Sequence, residues 1–433
     1  MTAGPASQVV AGFIFLVTFV ILIADHYHRV IVAWAGAAIM MAAGLLMGFY
    51  TQGQALAAID FNTLGLLLGM MMLVAMLQKT GIFEYLALLA ARRSRGDPWR
   101  LLMLLGGLTA FLSMILDNVT TIVLIGPVTL LVAGMLRISP VPLLIGEALL
   151  SNIGGTATLV GDPPNILIAS AAGLSFNDFL VVLLPIVLVV YYPSLLALRW
   201  AFRRDLHVGD ALSEELLLLR PADSIKDKSA LKKLLVALAV VIALFFVHHA
   251  LHLKPAYVAF VGVAIAMAWV RPDPEEILKD VHWGVLIFFG SLFVLVGGLE
   301  ATGVLHEAAR SIEGFAAGHL LLAAVLLIWV AAVLSAVVDN IPFAVAMVPV
   351  IQGLESQGIA VEPLWWALAL GVGFGGNGTP IGATANVVAV SLSERAGHRI
   401  TFRTWFRSGS IVTLVSCALG TVVFLFIFGV LKR

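Results

Sequence analysis

Ser151–Asn165 reads SNIGGTATLVGDPPN, a polar, glycine- and proline-bearing break inside a run that is apolar on both sides. Glycine lets backbones approach closely, and proline ends a helix while removing a donor. In hydrocarbon every unsatisfied backbone group costs several kcal/mol. Such a break is therefore tolerated only where it lines a cavity or is buried in protein. A second break lies downstream, where the glycine-rich Gly371–Gly378 runs into Thr379-Pro380-Ile381-Gly382. Thr158, Gly161 and Asn165 of the first break match Thr379, Gly382 and Asn386 of the second, 221 residues on.

Working outward, the match extends to the flanking segments. Leu112-Ser113, three apolar residues and Asp117-Asn118 reappear as Leu334-Ser335, three apolar residues and Asp339-Asn340, 222 residues later. Pro127 and Pro349, and Thr80-Gly81 and Thr302-Gly303, keep the same offset. The expected architecture is an all-α polytopic membrane protein of two repeats. Spans are expected near 9–24, 30–49, 62–80, 141–173 and 178–200, with a re-entrant hairpin at 100–135. The second set is 233–250, 256–270, 284–300, 362–392 and 408–430, with a hairpin at 319–354. Five spans per repeat is odd, so the second copy enters the membrane in the opposite sense, a common basis for alternating access. The domains are then a first repeat at 1–202, a linker at 203–233 and a second repeat at 234–433.

Composition agrees. Of 433 residues, 61% are hydrophobic and 12% charged, against about a quarter charged in soluble domains. Runs such as Val9–Ile23 and Val181–Leu198 approach the length that crosses hydrocarbon as a helix. They lack the period of two that a β-barrel needs. The first run has no basic region before it and reads as a retained span. The Lys and Arg residues divide 21 to 4 if the 203–233 linker is cytoplasmic, as the positive-inside rule asks. Both termini then face outward and the membrane is the cell inner membrane. Net charge is zero and no basic block suggests nucleic acid. The single cysteine, Cys417, excludes an internal disulfide or a multi-cysteine metal site and reads as a small span residue. Gly371, Gly373 and Gly376 fit a dinucleotide string but lack the strand that motif follows. No metal site or cofactor is expected.

Intramembrane ionisable residues are costly and so are functional candidates. Asp117 and Asp339 stand at the hairpin tips and Asp162 in the first break; the three are the proton-coupling candidates, with helix capping the competing role for the tip aspartates. Glu147 and Glu300 lie in apolar runs, either buried or near an interface. Asn118, Thr158, Asn165, Asn340, Thr379 and Asn386 are the substrate-binding candidates; their competing role is to satisfy backbone freed by the breaks. His26, His28, His248 and His249 read as interfacial. Trp99, Trp200, Trp283, Trp365, Trp366 and Trp405 read as an aromatic belt.

The break motif, the paired Asp-Asn tips and the architecture resemble the ion transporter superfamily, most nearly its arsenite permease and P protein branch. That resemblance covers nearly the whole chain. It implies that the hairpin tips and broken-helix loops jointly form the substrate site. Carboxylate carriers of this fold have Ser-Asn-Thr tips; here each tip is Asp-Asn, and two buried acids would repel a dianion. The resemblance therefore implies efflux of arsenite or antimonite, neutral trihydroxides near neutral pH, in exchange for protons. A separate arsenite-stimulated ATPase subunit is the partner that relatives recruit, and the lipid bilayer is the other. The alternatives are a sodium/proton antiporter, a divalent-anion carrier and an intramembrane enzyme. The last needs a nucleophile–base pair or an aspartate dyad, and inverted repeats do not explain one.

Overall fold

The computed structural model describes residues 4–24, 26–206 and 220–431; the middle of the charged linker, 207–219, and the terminal Lys432 and Arg433 lie outside the described residues. The described residues form helices and helical turns with no strand. The first half contains α1 (Pro5–Ala24), α2 (Arg29–Met47), α3 (Gln52–Ala58), α4 (Phe61–Lys79), α5 (Ile82–Ser94), α6 (Pro98–Ser113), α7 (Asn118–Met135), α8 (Val141–Gly155), α9 (Pro163–Ala172) and α10 (Phe176–Ala201). The second half contains α11 (Lys228–Val247), α12 (Pro255–Val270), α13 (Pro274–Lys279), α14 (Trp283–Thr302), α15 (Val304–Gly318), α16 (Leu320–Val337), α17 (Asn340–Ser356), α18 (Glu362–Gly375), α19 (Thr384–Arg395) and α20 (Phe402–Phe426). The two lists correspond one to one, so the internal repeat extends to the short helices as well.

Local chemistry sets many of the boundaries. Asp60 caps α4, accepting from the amides of Asn62 and Thr63; Asp97 and Asp227 cap α6 and α11. Thr51 and Ser175 each open a helix with a reciprocal capping box. Because α11 begins at Lys228, Lys232 and Lys233 belong to a helix rather than to an extended connection. Lys233 donates from Nζ to the Trp269 carbonyl at 3.0 Å.

Nine helices are long and apolar enough to cross a membrane, among the described residues. They include the hairpin arms α7 and α16. They omit α12, which has only 16 residues, and both broken segments, which fall into pieces of 15 and 10 residues and of 14 and 12. Each broken segment is thus a pair of half-helices.

The helices pack in two sets. One gathers α1, α2, α4, α11, α12 and α14. The other gathers the hairpins α6–α7 and α16–α17, the broken pairs α8–α9 and α18–α19, and α10 with α20. Within the second set α8 is buried from Pro142 to Gly155 and α18 from Leu364 to Gly375. Helices such as α1 and α16 instead expose Val9, Phe13, Leu322 and Val333, as a lipid-facing surface would. The buried half-helices sit against the hairpins at backbone contact. A Cβ on Gly154 would lie 2.2 Å from the Ala110 carbonyl oxygen, and one on Gly375 would lie 2.4 Å from Ala332 Cα. Small residues at these crossings let helices associate where lipid offers no hydrophobic drive.

Candidate functional site

The two breaks are built by the same clamps. Asn165, in the first turn of α9, reaches back across its break and donates to the carbonyls of Gly155, Thr156 and Thr158. Asn386 does the same in α19, donating to Gly376 at 2.7 Å and Thr379 at 2.9 Å. The Thr158 hydroxyl donates to the Met114 carbonyl of the first hairpin, and the Thr379 hydroxyl to the equivalent Ala336 carbonyl of the second. A half-helix end leaves carbonyls without partners, and these four side chains supply them. Asn165, Asn386, Thr158 and Thr379 thus fill the structural role open to them in the sequence. Their place at the breaks puts them next to the tips.

The tips converge on Asp162. Asn118 donates to its Oδ1 at 3.4 Å, and Asn340 reaches both of its oxygens at 3.2 Å. Asp162 precedes α9 but does not cap it. It is instead the point where both hairpins and the first break meet, and it is 1% exposed. The second repeat has Ala383 at the matching position, so this acid has no symmetric twin. Beside it runs a chain of amides: Asn118 donates to Asn152 at 3.0 Å, and Asn152 to Asn377 and Asn386 at 2.9 and 3.0 Å.

The tip aspartates behave differently. Asp117 caps α7, accepting the Thr120 amide at 2.8 Å and the Thr120 hydroxyl as well. The residue matching Thr120 is Pro342, which has no amide hydrogen to give. Asp339 does not cap α17. Its Oδ2 is held by the Arg29 guanidinium from the first turn of α2 and by the Thr384 hydroxyl at 2.8 Å. Its Oδ1 is buried with no hydrogen-bond partner among the described residues, as are Ser113 Oγ and Asn377 Nδ2.

The remaining candidates separate cleanly. Glu147 is fully buried, accepts from the Thr129 hydroxyl and lies off the tips. Glu300 is exposed, in the wall of a cleft of about 210 Å³ with Asp60 and Gln352. His248, at the end of α11, is buried against Phe245. Trp200 and Trp283 are about half exposed, as a belt requires, but Trp365, Trp366 and Trp405 are interior. Trp405 donates to the Asn377 carbonyl at 3.2 Å and so braces the second break. Cys417 is buried. Arg29, Thr384, Asn152 and Asn377 escaped the sequence reading as site residues. Asn152 and Asn377 lie inside the quoted breaks, and Arg29 is the first residue of an otherwise uncharged span.

Two cavities flank the two helix sets. One of about 560 Å³ is lined by His26, His28 and Arg29, by His282 and Phe288, and by Asp339 and Thr384. The other, of about 680 Å³, is lined by the matching elements of the opposite repeats: Asp60 and Asn62, Ile166 of α9, and His248, His252 and Lys254. The geometry is thus that of an inverted-repeat carrier, with a polar centre between two vestibules.

Comparison with known proteins gives the same class. Residues 17–371 match the family model described as citrate transporter. The chain belongs to this citrate transporter family. It is 40% identical over 421 residues to an uncharacterized transporter of Mycobacterium tuberculosis, covering 96% of this chain and 97% of that one. A 46 kDa membrane protein of Mycobacterium leprae is also 40% identical over 421 residues, with the same coverage. The P protein of Homo sapiens is 34% identical over 500 residues, covering 96% of this chain and 59% of the P protein. The YdaH transporter of Alcanivorax borkumensis shares the fold, with a TM-score of 0.55 at 17% identity and 98% of both chains covered. The protein is a multi-pass membrane transporter.

Proposed function

We propose that this transporter exchanges protons for a small neutral hydroxylated solute, arsenite or antimonite, across the cell inner membrane by alternating access. The observation that carries the reading is Asp162, buried between the Asn118 and Asn340 amides of the two hairpin tips, each of which directly follows a tip aspartate. Like charges gathered in a water-poor centre are relieved by taking up protons. The surrounding amides, the tip hydroxyl of Ser113 and the free Asp339 Oδ1 offer donors and acceptors that suit hydroxyl groups. A citrate trianion, the cargo in the family's name, would meet Asp117, Asp162 and Asp339 here, with Arg29 the cation held against them among the described residues. The P protein relatives support the arsenite permease and P protein branch on which the metalloid assignment rests. In this reading 1–202 and 234–433 are the two repeats and the 203–233 linker is cytoplasmic.

The test is uptake into everted vesicles carrying an imposed proton gradient, with arsenite, citrate and sodium assayed separately. Arsenite accumulation abolished by a protonophore is the expected result. Gradient-driven citrate uptake without arsenite uptake would replace the solute. A sodium-dependent pH signal indifferent to arsenite would make the protein a cation antiporter.

A further inference from the structure

The two vestibules are built from equivalent parts, yet only one has captured a hairpin carboxylate. In the smaller, Asp339 at the second tip is paired with Arg29, the first residue of α2. In the larger, Asp117 of the first tip is absent from the lining, while Lys254 at the start of α12 faces it. Helices α2 and α12 are equivalent second helices of their repeats, and Lys254 immediately precedes the first residue of α12. Each vestibule thus has a cation at the start of the same helix, and each repeat has an aspartate at its tip. In inverted repeats, the opposite access state is reached when the two copies exchange conformations.

We infer that Arg29 and Lys254 are alternating counter-cations. Arg29 holds Asp339 in the state described above, and Lys254 holds Asp117 in the opposite state, after Asp339 has left Arg29. Three facts support the exchange. The Arg29–Asp339 bridge joins the two helix sets; by contrast Lys79 with Glu276 and Asp280 ties α13 to α4, on which it packs, and Arg100 with Asp97 closes the start of α6. Asp339 is not a cap, so leaving Arg29 does not unpick the start of α17. Asp117 uses its carboxylate on the amide and hydroxyl of one residue, Thr120, and keeps lone pairs for a cation. The charged and titratable groups around the pair are His26, His28 and His282 on the vestibule wall and Asp162 at the centre; around Lys254 they are His248, His249, His252 and Asp60. The inference rests on the carrier reading but not on any particular cargo.

The test is a distance measurement on the full-length chain in lipid nanodiscs. Spin labels are placed at Glu275→Cys on α13, which packs on α4 of the first helix set, and at Arg395→Cys on α19 of the second, in a Cys417→Ser background. Two distance populations are expected. Arg29→Gln should deplete the population matching the described state at least about tenfold, because it leaves the Asp339 carboxylate without its cation in a largely buried place. Lys254→Gln should enrich it, and Arg29→Lys should keep it near the parent ratio. Because no substrate is present, an absence of arsenite flux leaves this result standing. Shifts in the same direction for Arg29→Gln and Lys254→Gln, or no shift in either, overturn the inference.

Discussion

At the scale of single residues, the pseudo-symmetric pairs show what each position is for. Asp117 and Asp339 are identical letters at matched places, and one proline separates their roles. Where Thr120 supplies an amide, Pro342 does not, and Asp339 turns to Arg29 and Thr384. Asp117→Asn should keep the cap and leave folding intact, because Asn caps as well as Asp does. Asp117→Ala should lower stability by about 1 kcal/mol, visible as a lower melting temperature of the purified protein. Gly154 and Gly375 should tolerate no side chain. An alanine at either position puts a methyl against backbone atoms at 2.2 or 2.4 Å, and such overpacking costs ~1–3 kcal/mol or more. Reduced yield of folded protein from both variants, but not from Gly134→Ala, where nothing lies within 4 Å, is the expected pattern. Asp162, Asn118 and Asn340 were legible in the sequence as candidates because each broke an apolar run. Arg29 was not, since a lone arginine at a span end looks like any interfacial anchor until the fold brings the second hairpin to it.

At the scale of elements, the half-helices depend on side chains that replace a missing backbone ladder. Thr158→Val and Thr379→Val each leave a hairpin carbonyl without its hydroxyl donor, a cost of about 1–3 kcal/mol apiece. The Thr158 hydroxyl also accepts the Gly161 amide at 3.1 Å, a bond Thr379 lacks, so Thr158→Val should lose the more thermal stability of the two. Asn165→Ala should exceed either, because one amide serves three carbonyls. Outside the spans, the Lys79 ammonium at 2.8 Å, by hydrogen bond and charge, holds Glu276 on α13 below the ordinary carboxylate value. A depressed carboxylate stabilises the fold above its unfolded value and loses that contribution as pH falls through its folded one. Any difference in melting temperature between Glu276→Gln and the parent should therefore be present at neutral pH and vanish in acid. The breaks and hairpins were readable because glycine, proline and paired polar residues punctuate them. The short helices α3, α5, α13 and α15 were not, since runs of 6–15 residues carry too little apolar pattern to stand out beside the spans.

At the scale of the molecule, symmetry and its failures divide the labour. The clamps, the glycine crossings and the vestibules obey the repeat and so build a scaffold that can adopt two equivalent forms. Asp162, matched by Ala383, does not obey it, and it is where both hairpin tips meet. The inverted architecture followed from two matched motifs and an odd span count. The meeting of both tips on one unmatched acid required the fold, because sequence offsets relate equivalent residues and say nothing of which copies touch across the pseudo-axis. Proton coupling through Asp162 is the centre of this account. The most direct test is a pH-sensitive dye in acid-loaded everted vesicles, with arsenite added to the parent protein and to Asp162→Asn. Arsenite-triggered proton release from the parent, absent from Asp162→Asn of equal abundance and thermal stability, is the predicted result; proton release of the same size from both would contradict it.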